Sequence, residues 1–338
     1  MTTAMEKTLT PDELFARNRM MESIFVPHAR LRRDEAFQGG KAKSKRFIHY
    51  TSAEAAIKII NQKRLWLRNI GCMSDYQEVH HGFNILLRYF SVPGQGVAFK
   101  NAINAIALGA ADEAINNFDG WFKSGVIKNK TFIASLSEHE SDEDLHGRLS
   151  MWRAFGGNTA RVGLVFNVPA RSTGAEALNL IFSPVAYFKD ADADQMIPQV
   201  IRNISANIPF LKSVERQQIV NWVFSMLLIG VTCVKHQGFR EEKEWRVVHC
   251  PNLYPSPKIE RINETVAGIP QIIYRLPLDR TVDPILDDLD FSNLFDRLII
   301  GPSPYPNVMF DAFADALTYA GVSDAAKKIF VSYIPIRP

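Results

Sequence analysis

The sequence predicts a mixed α+β fold, and three observations lead to that prediction. Short strand patterns are scattered along the 338 residues, and helical patterns separate them at irregular intervals. A regular alternation of strands and helices, which is typical of a parallel β–α–β array, does not occur. Internal repeats and low-complexity tracts are also absent from the sequence. We therefore expect a mostly antiparallel arrangement of strands with helices inserted between them.

The composition excludes several classes of protein. Hydrophobic residues make up 46% and charged residues 22% of the chain, which is usual for a globular protein and excludes a disordered or fibrous one. The net charge of +3 is too small to indicate a class of partner. Three cysteines (Cys72, Cys233 and Cys250) cannot form a disulfide framework, which favours a cytoplasmic location.

No membrane association is expected from the hydropathy pattern. A spanning helix needs about 18 or more consecutive apolar residues, and no segment of this sequence reaches that length. The most apolar candidate, residues 219–234, contains Asn221 and Ser225 and is predicted to be a buried helix. The first residues lack the basic and then apolar order of a signal peptide.

Capping signals and hydrophobic periodicity predict the individual elements. Thr10, Pro11 and Glu13 form a capping box with proline at the first helical position, which predicts a helix over residues 11–23. A second box over residues 51–54 predicts a helix that ends near Gln62. Further helical patterns cover residues 80–90, 95–123, 149–155, 192–234 and 306–320. Strand patterns cover residues 47–50, 65–67, 131–137, 161–167, 244–249, 271–276, 297–300 and 329–334.

The predicted domain organisation has two parts. Residues 1–46 form an N-terminal helix and a basic arm, and residues 47–338 form a single α+β domain. Within the arm, residues 30–46 contain seven lysines and arginines against Asp34 and Glu35. Such a segment is either a solvated arm or a surface that attracts phosphate groups, and the sequence leaves both interpretations open.

Two segments contain polar residues that suggest a binding site near the start of the domain. His49 ends a strand pattern, and Tyr50, Thr51 and Ser52 lead directly into a capped helix. Free N–H groups at a helix start favour anionic or hydroxyl-rich ligands, although a histidine there also commonly bonds a neighbouring carbonyl. The loop after Asn69 carries Asp75 and Glu78, either as functional carboxylates or as turn formers.

The segment 235–246 carries the most specific chemistry. Glu242 and Glu244 alternate with Lys243 on an entering strand, so both carboxylates are predicted to point to one face. Arg246 on that face is a candidate counterion. A carboxylate pair with a nearby histidine can hold a sugar hydroxyl and stabilise a developing oxocarbenium ion. Trp152 either stacks on a ligand ring or fills the core, and amino-acid composition by itself favours the core.

Taken in order, these segments resemble a bacterial family known as domain of unknown function 2971. The resemblance covers roughly residues 46–337 and rests on six segments: residues 48–51, 75–78, 135–152, 163–166, 235–246 and 334–337. The same order is distantly similar to ADP-ribosyltransferases of the His-Tyr-Glu type. That second resemblance implies an ADP-ribosyltransferase-like fold, in which two small, mostly antiparallel sheets flank a cleft.

The resemblance to the ADP-ribosyltransferases also implies roles for particular residues. The substrate would be NAD, with no metal, and the acceptor would be a macromolecule, either protein or nucleic acid. His49, with Thr51 and Ser52, would orient the nicotinamide ribose, and Tyr50 or Trp152 would stack on nicotinamide. Glu244 would support the reacting ribose and Glu242 would position the acceptor. Arg246 would hold a phosphate or balance the two carboxylates.

Two alternative functions remain open at the level of sequence. The first is a metal-dependent nuclease, with Asp75, Glu241 or Glu242, and Lys243 arranged around magnesium. The second is a non-catalytic nucleotide sensor or immunity protein, which binds a nucleotide without turnover. The sequence does not indicate the oligomeric state.

Overall fold

Fourteen α-helices and twelve β-strands form the described part of the chain. The structure is a computed structural model, and it describes residues 10–72, 78–154, 160–189, 192–266 and 268–335. The helices are α1 Pro11–Phe25, α2 Pro27–Ala36, α3 Ala53–Gln62, α4 Glu78–Ser91, α5 Gln95–Asn104, α6 Ala110–Lys123, α7 Val126–Lys130, α8 Leu149–Ala154, α9 Thr173–Ala177, α10 Ala193–Ala206, α11 Ile208–Leu211, α12 Arg216–Thr232, α13 Phe291–Leu294 and α14 Pro306–Tyr319. The strands are β1 Ser44–Ser52, β2 Arg64–Asn69, β3 Phe132–Glu138, β4 Arg161–Pro169, β5 Ile181–Pro184, β6 Ala186–Phe188, β7 Val234–His236, β8 Glu244–His249, β9 Glu260–Val266, β10 Ile269–Pro277, β11 Phe295–Ile300 and β12 Ile329–Val331.

Ten of these strands belong to one branched sheet. Its main path runs β12-β11-β4-β1-β3-β2-β10-β9, and β8 branches from β3 and carries β5 on its other edge. Every described pairing in this sheet is antiparallel except that of β11 with β12. The prediction of a mostly antiparallel α+β fold is confirmed. Its division into two small sheets is not observed, because β1 and β2 both join β3, and only β6 and β7 form a separate pair.

Local capping chemistry explains where several helices begin and end. The capping box of α1 is present as predicted, with the Thr10 hydroxyl accepting from the Glu13 N–H. In α3 the N-cap is Ser52 rather than Thr51, because β1 continues through Ser52. The long helical patterns are interrupted: residues 95–123 form α5 and α6, and residues 192–234 form α10, α11 and α12 followed by β7. Gly109, in the left-handed region, precedes α6.

The N-terminal segment packs against the rest of the fold. Met21, Ile24 and Phe25 of α1 are each about 1% exposed within a hydrophobic cluster that includes α12. The basic residues of segment 30–46 lie largely in α2 and β1 and form ion pairs. Those pairs are Arg30 with Asp34 and Glu22, Arg32 with Glu35 and Glu138, Lys45 with Glu140 and Glu138, and Arg46 with Asp144 and Asp296.

Two large hydrophobic clusters cover opposite faces of the sheet. Trp245 and Val247 of β8 belong to the first cluster, together with α3 and α14. Val248 belongs to the second, together with α4, α6 and α12. Consecutive strand residues point to opposite faces, so this assignment follows from the register. A smaller third cluster, around Tyr50 and Trp152, lies on the same face as the second.

Candidate functional site

The sheet opens at its centre, next to Ser135. β1 pairs with β3 at Phe47 and Ile48 and then leaves it, whereas β2 joins the same side of β3 only at residues 132 and 133. We call this opening between β1 and β2 the split. Ser135 is the one partly exposed residue in β3, whose other six residues are buried. Solvent therefore reaches the middle of the sheet at this residue.

His49 lies at the split and is held by the backbone of β3. Its Nδ1 is 2.9 Å from the carbonyl oxygen of Ser135. Because a carbonyl oxygen can only accept, Nδ1 carries the proton and Nε2 is left as an acceptor. Burial and the nearby charge of Arg68 lower the pKa of His49, whereas the bond to Ser135 raises it by a smaller amount than burial lowers it. His49 is therefore neutral at pH 7 and suited to accept a hydrogen bond from a hydroxyl group.

Glu244 opens β8 and is enclosed by cations. It is 4% exposed, its Oε1 lies 2.9 Å from Nε of Arg246, and its Oε2 lies 2.9 Å from Nζ of Lys235. Burial alone would raise the pKa of Glu244, but Arg246, Lys235 and the Ser135 hydroxyl outweigh it and hold the pKa at about 2. Glu244 is thus a buried carboxylate that stays ionised.

The depressed pKa of Glu244 predicts a loss of stability in acid. Its ordinary pKa is 4.5, so the stabilisation is complete above that pH and is lost as the pH falls toward about 2. The full contribution corresponds to about 3 kcal/mol. Urea unfolding at pH 6 and pH 3 should show a larger loss for the wild-type chain than for Glu244→Gln, with Glu260→Gln as the exposed control. Equal losses in the wild-type chain and Glu244→Gln would contradict this assignment.

Glu242 lies beside this cluster but outside the strand. It ends a 3-10 segment, Gln237–Glu242, and Lys243 then adopts a left-handed conformation with φ of 45° before β8 begins. The predicted alternation of Glu242 and Glu244 on one strand is therefore wrong. The two carboxylates are nevertheless joined, because Nζ of Lys235 lies 2.6 Å from Glu242 as well. Glu242 is the more exposed of the two.

Arg246 balances the carboxylate rather than facing solvent. It is 1% exposed and donates from Nε and a terminal nitrogen to Glu244, at 2.9 and 3.2 Å. Its other terminal nitrogen donates to the Thr232 carbonyl at 2.5 Å. Of the two roles that the resemblance implies for Arg246, these contacts match the counterion.

Tyr50 and Trp152 are buried in the third hydrophobic cluster. They are 7% and 4% exposed, and their rings pack edge to face with centroids 4.8 Å apart. The Trp152 indole also lies against Gly147, Gly163 and Gly301. A Cβ atom added at Gly147 or at Gly301 would lie only 2.9 Å from the ring. Its N–H donates to the His146 carbonyl at 2.7 Å. These contacts match the core interpretation of Trp152, and both rings are almost completely buried.

The register separates the predicted site residues further. Ile48 pairs with Ser137, and Ser137 pairs with Glu244, so Ile48 and Tyr50 share the face of Glu244. His49 points away from that face, and at the split it bonds the Ser135 carbonyl. Thr51 and Ser52 follow it at the end of β1, where the Ser52 hydroxyl accepts from the Ala55 N–H. Asp75 and the segment 155–159 lie outside the described residues, as do Ile336 and Arg337.

Sequence reasoning missed two residues that organise the site. The Tyr187 hydroxyl accepts from the Glu244 N–H at 2.7 Å, and burial raises the pKa of Tyr187. Arg148 donates to the carbonyls of Glu138, Glu241 and Glu242, and so anchors the turn that carries Glu242. Neither residue lies in a sequence motif that indicates a functional role, and each makes contacts with residues distant in the sequence.

Other features of the described residues bear on ligand binding. No group of three or more His, Cys, Asp or Glu side chains with metal-site geometry occurs among them. None of the helices described has the length and apolar character that crossing a bilayer requires. A cavity of about 690 Å³ lies beside β5, and His49, Ser135 and Glu244 do not line it.

A family of proteins matches residues 151–247 of the chain. No curated protein and no solved structure matches the chain. The matched region contains β4 and parts of α8 and β8, and it includes Trp152, Glu242, Glu244 and Arg246 of the site. His49 and Ser135 lie before it. The chain is thus similar, over residues 151–247, to the family described as "Protein of unknown function (DUF2971)".

Proposed function

We propose that this chain transfers ADP-ribose from NAD to a macromolecular acceptor, with the reaction at the split. The observation that carries the proposal is the position of Ser135. Its carbonyl accepts a hydrogen bond from His49, and its side chain is one of the groups that lower the pKa of Glu244, although His49 and Glu244 are far apart in sequence. A neutral histidine and an ionised carboxylate on either side of one partly exposed residue suit the recognition of a ribose and the stabilisation of its cation.

In the proposed complex His49 binds a ribose hydroxyl. Its Nδ1 proton is committed to Ser135, so Nε2 accepts from the sugar. Two arginines near the split support binding of the diphosphate. Arg68 donates to Gln271 and to the Cys72 carbonyl, and Arg161 opens β4 opposite Ser52. Among the described residues, neither arginine has a carboxylate within ion-pair distance, and an anionic ligand would complete their environment.

Glu244 acts electrostatically in the proposed reaction. The N-glycosidic bond between ribose C1′ and nicotinamide breaks, and its electron pair leaves with the nicotinamide, which becomes neutral. The positive charge that develops on the ribose is stabilised by the ionised Glu244. An acceptor nucleophile then forms the new bond to C1′ and loses a proton, for which Glu242 is the more accessible base. Tyr50 and Trp152 have no stacking role in this proposal.

The acceptor is proposed to be protein or nucleic acid. Lys41 and Lys43 remain exposed before β1, whereas Lys45 and Arg46 pair with acidic residues. Few basic charges near this end of β1 are therefore available for a phosphate backbone. Release of nicotinamide from NAD is common to both acceptor classes and does not depend on which of them is used.

Nicotinamide release from NAD tests the proposal without a known acceptor, because water can take the ADP-ribose. We expect the full chain to bind NAD by calorimetry and to release nicotinamide. His49→Ala should weaken NAD binding, whereas Glu244→Gln should lower the release rate by about 100-fold or more while NAD still binds. Glu260→Gln, which alters an exposed carboxylate on β9, is the matched control.

Three outcomes would contradict the proposal. Absence of both NAD binding and nicotinamide release overturns it directly. Binding that His49→Ala abolishes, without any release, indicates the nucleotide-sensing alternative. Cleavage of nucleic acid that requires magnesium indicates the nuclease alternative.

A further inference from the structure

The cavity beside β5 has the size of a small-molecule site. Its volume is about 690 Å³, and pockets that hold drug-sized ligands are typically about 300–1,000 Å³. It lies between α1 and α2 on one side and α12 on the other, along the edge of β5 that pairs with no other described strand. It is separate from the split, since His49, Ser135 and Glu244 do not line it.

The interior of the cavity is mainly apolar. Apolar side chains on its wall come from β4, from α12 and from β5 with the residue before it, and they include Phe166, Val168, Leu180, Phe182, Trp222 and Ile229. Five of these six side chains are partly rather than fully buried. Partly buried apolar side chains on a cavity wall gain packing contacts when an apolar group covers them. A ligand with an extended apolar portion suits such a wall.

The rim formed by α1 and α2 carries more positive than negative charge. These helices line the cavity with four arginines, Arg17, Arg19, Arg30 and Arg33, and with two carboxylates, Glu22 and Asp34. Asp34 hydrogen-bonds Arg30 and lies 3.5 Å from Arg19. Glu22 lies 3.5 Å from Arg30 and 3.8 Å from Arg33. Two carboxylates thus serve three guanidinium groups.

Arg33 is the least compensated of the three. Its nearest carboxylate, Glu22, lies at 3.8 Å, beyond hydrogen-bond distance. Its guanidinium donates to the carbonyl of Phe182 and lies over the rings of Phe182 and Trp245, at 5.9 and 5.6 Å. Burial lowers the pKa of Arg33, and Glu22 only partly opposes that effect. A carboxylate at the rim would give this arginine an anionic partner at hydrogen-bond distance, closer than Glu22.

We propose that this cavity binds a fatty-acyl carboxylate, with the acyl chain in the apolar interior and the carboxylate at Arg33. The mainly apolar wall selects the chain, and the excess arginine at the rim selects the anionic head group. The site is independent of the proposed transfer reaction, because none of its residues belongs to the split.

Calorimetry on the full chain with dodecanoate, below its micelle concentration, tests the proposal. We expect one dodecanoate per chain, and at least tenfold weaker binding of dodecanol, which has the same chain without the charge. Arg33→Gln should weaken dodecanoate binding by about tenfold and leave dodecanol unchanged. Arg19→Gln, at a more exposed rim position, is the second charge variant and should cause a smaller loss in the same direction.

A variant that fills the cavity and a distant charge variant complete the design. Ala29→Trp places a large ring in the cavity and should abolish binding of both ligands. Arg261→Gln on β9 removes an exposed charge far from the cavity and should change neither affinity. The proposal is overturned if dodecanoate does not bind, if Ala29→Trp binds it as tightly as the wild-type chain, or if dodecanol binds as tightly as dodecanoate.

Discussion

Arg246→Met is expected to destabilise the fold by about 3–5 kcal/mol, the usual cost of leaving one member of a buried ion pair without its partner. Arg246 and Glu244 are 1% and 4% exposed and form two hydrogen bonds to each other. In the variant Lys235 is the cation that still pairs with Glu244, and the Thr232 carbonyl loses the hydrogen bond from Arg246. Urea unfolding at pH 7 measures the loss.

A matched control and a double variant make this result specific. Arg280→Met removes an exposed ion pair with Asp287 and should cost less than about 1 kcal/mol. Adding Glu244→Gln to Arg246→Met removes the carboxylate that has lost its arginine, so the double variant should be more stable than the sum of the single losses indicates. A loss below about 1 kcal/mol for Arg246→Met would show that the cluster does not hold β8 in place.

Trp152→Ala is expected to destabilise the fold by about 3–5 kcal/mol and to leave NAD affinity unchanged. The ring is 4% exposed, packs against Tyr50, and fits against Gly147, Gly163 and Gly301. Removing it leaves a cavity that backbone glycines cannot fill, which gives losses of this size in buried cores. Denaturant unfolding and NAD calorimetry on the same variant measure both quantities.

The control for Trp152 is an exposed aromatic residue. Tyr305 is 69% exposed, and Tyr305→Ala should change stability by no more than about 0.5 kcal/mol. If Trp152→Ala instead retained its stability and lost NAD affinity, the ring would be a ligand-stacking residue after all. That outcome would also show that α8 moves when the ligand binds.

The Glu244 cluster shows how structure and proposed function compete at one residue. A carboxylate held by two cations is well suited to remain ionised. The same cations also hold it in place and offset its electrostatic effect on more distant groups. The proposed chemistry therefore requires the ribose to approach through Ser135, where the sheet is open. Measuring stability and nicotinamide release on Glu244→Gln separates the structural role from the catalytic one.

Local signals in the sequence were sufficient for much of the secondary structure. The α1 capping box, the proline at its first position and the β8 strand at residues 244–249 are all present as predicted. Such elements depend on neighbouring residues, so periodicity and capping chemistry identify them. The mostly antiparallel α+β class follows from the same local patterns. The short strands β5, β6 and β7 were missed, because three or four residues carry too little periodicity.

Only the tertiary structure decided which polar residues meet. From sequence, Glu242 and Glu244 were expected on one strand, but a left-handed Lys243 separates them and Lys235 joins them again. The sequence identified His49 and Glu244 as candidates, and it contained no signal that Ser135 would lie between them, with its carbonyl bonded to His49. That connection depends on β1 leaving β3 after Ile48, a pairing between segments nearly ninety residues apart. Strand pairing at such separations is fixed by the packing of whole faces, which no local pattern records.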